Sequence, residues 1–251
     1  MRTSPRTGLS LFGIVLILSA YGQAATLAAA PSRQEQPLRV VEPVEAIIAD
    51  LQSFIPEHMR LEDIPGVAVA LIHEGAIVWT EGFGVTNTIS AEPVTPQTLF
   101  EVASNSKMMT AYIALRLVDQ GILSLDEPLN AYLSQPWLPP SKHRDAITLR
   151  HVLSHSSGLG ASITLSRASL FAPGDGYYYS GIGFMYLQEV IERLTGQSFE
   201  AVAREMVFAP LGMSSSSFLD GPDISPRTAN GHLRAAIPAL AFAVPYVISV
   251  A

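Results

Sequence analysis

The 251-residue chain carries 15 Lys and Arg against 22 Asp and Glu, a formal charge of −7, and 48% of its residues are hydrophobic. That much apolar material excludes an acidic disordered chain and suffices for a sizeable core. The acidic balance speaks against a nucleic-acid surface, which needs clustered Lys and Arg. With no cysteine there is no disulfide framework, thiolate metal site or lipidated cysteine, and only two lysines occur, Lys107 and Lys142.

In chain order, residues 1–30 read as a secretory signal. Arg2 and Arg6 form a positive start, Gly8 to Ala20 is an uncharged apolar run, and small residues follow, with cleavage expected after Ala24, Ala28 or Ala30. The run is short for a membrane span of about 20 residues, so an uncleaved anchor is the weaker alternative. The expected location is periplasmic or secreted. Residues 31–42 read as a polar linker, and the domain is expected over 43–251.

Val44, Ile47, Ile48, Leu51 and Phe54 have helical spacing, and Pro56 is expected to end that helix or follow its end closely. Gly66 to Ile72 and Ala76 to Phe83 read as two strands joined by a tight turn. A loop runs through Pro96. The strongest helix is predicted over Thr98 to Leu123, with Met108, Ala111, Tyr112, Leu115 and Val118 as its apolar stripe and Gly121 at its stop. Leu125 to Leu133 is a short helix or turn, and the prolines at 136, 139 and 140 mark a loop.

Further on, Thr148 is expected to cap a short helix to Leu153. A helix from about Gly183 to Leu194 stops at Gly196, and Ser198 caps one running to about Phe208. Residues Ala235 to Ala251 are uncharged and contain Pro238 and Pro245. They read as an interior segment rather than a tail anchor. A small α/β beginning thus precedes a mostly helical middle, without an internal repeat.

Chemistry concentrates in Phe100 to Lys107. Ser104 and Lys107 are three positions apart, which on a first helical turn puts both side chains on one face. A serine hydroxyl is a poor nucleophile until a base takes its proton. A lysine serves as that base where burial and positive potential lower its pKa. A helix start supplies positive potential and N–H donors for an oxyanion. The same segment alone also fits an N-capping Ser104 with a solvated Lys107. No H-E-x-x-H and no G-x-S-x-G occurs. Asp119, Asp126 and Glu127 read as solvated or capping carboxylates.

The order of several further segments carries a resemblance. Besides Phe100–Lys107, these are Gly121 to Pro128, Ile147 to Leu159, Tyr179-Ser180-Gly181, Leu194-Thr195-Gly196, Pro210-Leu211-Gly212-Met213 and Gly231-His232. Together they resemble the serine β-lactamase and penicillin-binding-protein-like family, in its branch of class C β-lactamases, D-Ala-D-Ala carboxypeptidases and esterases. The resemblance implies an α/β (α+β) fold, an antiparallel sheet flanked by helices with a helical subdomain. It implies an exported serine hydrolase that forms an acyl-enzyme on an amide, ester or β-lactam carbonyl.

Carried over by residue, Ser104 is the nucleophile, Lys107 its base and Tyr179 a second acid/base. Gly181 falls at a substrate-binding position where the family usually carries Asn. That departure favours ester or peptide cleavage over efficient β-lactam hydrolysis. His155 takes a structural role beneath the site. The expected substrate is a small molecule or a peptidoglycan-peptide-like compound, with no cofactor, no metal and no nucleic-acid partner. The family's third motif, K-T-G or H-x-G, does not occur after Gly231-His232, so the chain reads as a partial member lacking C-terminal strands. A non-catalytic relative acting as a binding or regulatory protein is the alternative expectation.

Overall fold

The computed structural model describes residues 42–162, 167–219, 221–222, 224–233 and 237–238. The expectations for the signal, for the linker up to residue 41 and for most of residues 235–251 lie outside these. From Val44 the order is helix α1 (Val44–Leu61), strands β1 (Gly66–His73) and β2 (Ala76–Gly84), helices α2 (Ser106–Asp119), α3 (Leu149–Leu153), α4 (Gly181–Thr195) and α5 (Phe199–Ala203), and a short β3 (His232–Leu233) and β4 (Ile237–Pro238).

β1 and β2 form an antiparallel hairpin in the register Gly66↔Gly84 to His73↔Ala76, with an irregularity at Leu71/Ile72. Its two-residue turn, Glu74-Gly75, has both φ values positive, 48° and 79°. That is the mirror-image turn whose twist matches paired strands, and glycine tolerates it freely. α1 lies on the hairpin through β2, and Gln52 Nε2 donates to Glu81 Oε2 at 2.8 Å.

Two sequence expectations about α1 need correction. The helix continues through Pro56 to Leu61. Pro56 is exposed, while Met59, a turn later, is buried and reaches the backbone around Gly84. The packing of that last turn outweighs the hydrogen bond that proline cannot make. Phe54 is not on the inner face either. It is 53% exposed and stacks on His58 at 3.6 Å, and Ile55 takes its place in the stripe.

The core sits among the helices. α4 is its axis, with Ile182, Tyr186, Leu187, Val190 and Ile191 buried against Ile113, Ala114 and Leu117 of α2 and Val202 and Ala203 of α5. Phe218 closes one end, edge-on to Phe199 at 4.8 Å and stacked on Phe208 at 5.8 Å. Each such ring removed from water contributes about 1.5–3 kcal/mol.

The long helix differs from its prediction in extent and in facing. Thr98–Val102 is not helical; Ala103–Asn105 forms a 3₁₀ turn and α2 begins at Ser106. Its buried stripe is Ser106, Thr110, Ile113, Ala114 and Leu117, whereas Met108, Tyr112 and Leu115 are exposed. The helix is apolar on more than one side, and the side that is buried carries the smaller residues Ser106, Thr110 and Ala114 beside Ile113 and Leu117. Thr110 enters the core because its hydroxyl donates to the Ser106 carbonyl at 3.2 Å.

Local stop and start signals hold. Thr148 caps α3 in a reciprocal box with His151, Ser198 accepts from Ala201 N, Ser180 from Gly183 N, and Gly196 ends α4 with φ 67°. The predicted last helix is divided: α5 ends at Ala203 and a π-helical turn covers Arg204–Phe208. Asp126 is solvated, as expected, and Arg150 also grips it with two surface bonds of 2.7 and 2.8 Å. That pair holds the Asp126 carboxyl below its ordinary range. Among the described residues no helix is long and apolar enough to cross a membrane.

Candidate active site

Ser104 stands in the 3₁₀ turn that feeds α2, so the positive end of a 14-residue helix lies just beyond it. The residue before it, Ala103, has φ 44°. A non-glycine residue there is strained by roughly 1–3 kcal/mol, and such outliers cluster at functional sites. The turn sets two serines to opposite duties. Ser106 faces the core at 4% exposure, whereas Ser104 is exposed. Neither Ser104 nor any neighbour caps α2 through its side chain: Asn105 is the N-cap residue and makes no such bond. The capping alternative for Ser104 therefore falls away.

Lys107 comes from the first turn of α2, and its Nζ donates to Ser104 Oγ at 3.1 Å. This is the contact that the three-residue spacing implies. From 75 positions further along the chain, Tyr179 brings its hydroxyl to the same oxygen and donates at 2.6 Å. Lys107 Nζ also lies 4.9 Å from the centre of the Tyr179 ring and 5.7 Å from that of Phe184. Burial pushes the Tyr179 phenol up, but hydrogen bonding with Lys107 and Ser104 and the Lys107 charge outweigh it, leaving the phenol below its ordinary value of 10.0.

The segment that presents Tyr179 is clamped on both sides by His155. Tyr178 N donates to the His155 carbonyl at 2.8 Å, and Ser180 N donates to His155 Nδ1 at 3.1 Å. The His155 ring packs against Tyr179 at 4.6 Å and Phe184 at 5.5 Å. Ser180, fully buried, donates to Gly160 O at 3.1 Å and accepts from Gly183 N at 2.8 Å. Tyr179 thus projects from a backbone pinned at both neighbours. The sequence marked His155 as structural, but the clamp itself depends on a φ of 55° at His155 that no local signal announces.

An acceptor Nδ1 requires a neutral imidazole. Burial, and then the Lys107 charge, hold His155 below its ordinary 6.5. The unfolded chain therefore takes up a proton before the folded one as the pH drops below 6.5. Stability contributed by the clamp is complete above that pH and declines as the pH falls towards the folded value. Unfolding free energies from urea titrations at about pH 7.5 and about pH 5 are expected to differ less in His155→Gln than in the wild type. An equal difference in both proteins would show that the clamp does not titrate.

Gly181, the first residue of α4, is held by a close approach. A Cβ there would lie 2.3 Å from Ala161 O, the same oxygen that accepts from Gly181 N at 3.2 Å. Lys142, the other lysine, is exposed in the proline-containing loop, as its sequence surroundings imply.

Residues 51–247 match the family model described as Beta-lactamase. Esterase EstB of Burkholderia gladioli is 28% identical over 210 residues, covering 69% of this chain and 52% of that protein. Penicillin-binding protein 4* of Bacillus subtilis (strain 168) is 27% identical over 165 residues, covering 57% of this chain and 35% of that protein. A solved structure described as a class C β-lactamase superposes with a TM-score of 0.71 at 23% identity, covering 84% of this chain and 63% of that one. The fold expected from the sequence, a mixed α+β fold of the β-lactamase and DD-peptidase type, is therefore established, here with a two-stranded antiparallel β1–β2 sheet. The chain spans about half or less of the length of these two curated relatives. By the match over residues 51–247, the chain belongs to the β-lactamase family.

Proposed function

We propose that this chain is a serine hydrolase that works through an acyl-enzyme on Ser104. One observation carries the reading: a single serine oxygen held at once by Lys107 Nζ at 3.1 Å and by Tyr179 Oη at 2.6 Å. No metal or cofactor enters the steps derived from these groups.

In the reactive state Tyr179 is a phenolate, favoured by the neighbouring Lys107 ammonium. Ser104 Oγ gives its proton to that phenolate as it attacks a carbonyl carbon, and the C=O electron pair moves onto oxygen. When the tetrahedral intermediate collapses, Tyr179 returns the proton to the departing oxygen or nitrogen and the bond to it breaks. An ester on Ser104 remains. Water repeats the sequence: Tyr179 takes its proton, the acid departs, and Ser104 Oγ recovers the proton.

The sequence reading makes Lys107 the base. The geometry supports a division of labour, with Tyr179 carrying protons, since its hydroxyl is the closer partner of Ser104 Oγ and its pKa is held below the ordinary value. Lys107 then supplies the hydrogen bonding and the charge that hold it there.

Substrates in this reading are small esters, amides or peptidoglycan-peptide-like compounds. Gly181 has no side chain to contact a substrate amide, which favours esters. The Burkholderia relative is named an esterase, which points the same way. Residues 1–30 as a removed signal, 31–42 as a linker and 43–251 as the hydrolase domain complete the proposal, with a periplasmic or secreted location.

Intact-mass analysis after exposure to a fluorophosphonate, or to a fluorescent penicillin, tests it. A single adduct is expected, and peptide mapping should put it on Ser104. Failure of both probes, or an adduct elsewhere, overturns the catalytic reading in favour of a binding protein.

A further inference from the structure

Tyr177 and Tyr178 precede Tyr179 in a run that catalysis does not explain. Tyr177 is 71% exposed, more than Tyr178 at 38% or Tyr179 at 40%. A single exposed ring is ordinary on a protein surface. This one is joined to the site. The Tyr177 ring meets the His155 ring edge-on at 5.9 Å, and the same imidazole packs against Tyr179 at 4.6 Å and Phe184 at 5.5 Å. Both Tyr177 and Tyr179 pack on one His155 ring. An aromatic shelf therefore runs from the nucleophile outward, Ser104 to Tyr179 to His155 to Tyr177, and its outer end lies open to solvent.

We infer that this shelf selects substrates whose leaving group carries a flat aromatic ring, such as aryl or arylmethyl esters. The inference rests on the acyl-enzyme reading above. In that reading Tyr179 hands its proton to the departing atom, so whatever is attached to that atom lies on the Tyr179 side, over the shelf. A ring offset-stacked or edge-on to Tyr177 gains an aromatic contact that a saturated ring of equal bulk does not. Tyr177 contributes here through its ring; its hydroxyl has no assigned task.

The test compares benzyl acetate with cyclohexylmethyl acetate. Both give the same acetyl-enzyme and leave as alcohols of similar size, so their ratio of kcat/KM reports on the leaving group during acylation alone. The wild type is expected to prefer the benzyl ester. Tyr177→Ala should lower that preference roughly 3- to 10-fold, the worth of one aromatic pair, while Tyr177→Phe should keep it. The exposure of Tyr177 makes a folding defect in either variant unexpected, and circular dichroism checks this.

An unchanged ratio in a Tyr177→Ala protein that still hydrolyses both esters overturns the shelf and leaves the catalytic reading standing. A wild type that forms no adduct on Ser104 overturns both. A preference lost equally in Tyr177→Phe also overturns the inference, because it would place the effect in the hydroxyl.

Discussion

Tyr179→Phe is expected to slow acylation of Ser104 by about 10²–10⁴-fold, the range for a positioned acid–base group. The ring survives this change, and so do its contacts with His155 and with the Lys107 cation. Only the hydroxyl at 2.6 Å from Ser104 Oγ is lost. The pH dependence makes the result specific. Because the phenol is held below 10.0, a larger share of it is ionised at neutral pH than in free tyrosine. The wild-type acylation rate should therefore rise with pH along a limb centred below 10.0 and then level off. The Phe variant should lack that limb. Lys107→Met removes both the hydrogen bonding and the charge by which Lys107 depresses the phenol, so its limb should move back towards the ordinary tyrosine value. Stopped-flow acylation with a chromogenic ester across a pH series reads all three proteins. A Phe variant within about twofold of wild type, far outside that acid–base range, would remove Tyr179 from the chemistry.

How much of this was legible in the sequence depended on the distance over which the information is written. Ser104 and Lys107 are three residues apart, and helix geometry alone makes them neighbours. Tyr179 joins them across 75 positions, a closure that periodicity cannot supply; the order of the family's motifs pointed to it. Capping residues were legible because they act within one turn: Thr148, Ser198 and Gly196 all do what their side chains, or the lack of one, permit. Facing was less legible. In α2 an apolar stripe through Met108, Tyr112 and Leu115 was as good a pattern as the one buried, and the choice was made by what packs against the helix. The side that became buried carries the small residues Thr110 and Ala114. Pro56 taught the same lesson, since the burial of Met59 carried α1 past a residue that usually ends helices. Strain was invisible. Nothing in Val102-Ala103-Ser104 suggests a positive φ at an alanine, although that turn is what lifts Ser104 off the helix axis and leaves Ser106 in the core.

Gly181→Asn would restore the residue usual in the family, yet it is expected to harm this protein. The reason lies in how α4 begins. The first N–H groups of a helix lack partners within it. Here Gly181 N is satisfied by Ala161 O at 3.2 Å and Ile182 N by Gly160 O at 3.3 Å, while the Ser180 hydroxyl ties the same Gly160 O to Gly183 N. The 160–161 backbone is thus laid directly across the helix start. A Cβ at position 181 would sit 2.3 Å from Ala161 O, and a backbone carbonyl cannot swing aside as a flexible side chain can. Either the 160–161 segment or the helix start must move, and Ser180 transmits the shift to Tyr179. Overpacking of this kind costs about 1–3 kcal/mol. A displacement near 1 Å at a catalytic group is worth about 10²-fold in rate. Gly181→Ala carries the same Cβ and should behave like Gly181→Asn in both respects. Urea unfolding and Ser104 acylation rates, measured on the two variants side by side, separate this account from its rival. If Asn raised activity on an amide substrate while Ala lowered it, the amide contact would outweigh the clash. Gly181 would then be a lost substrate ligand rather than a residue that the path of the Ala161 backbone requires.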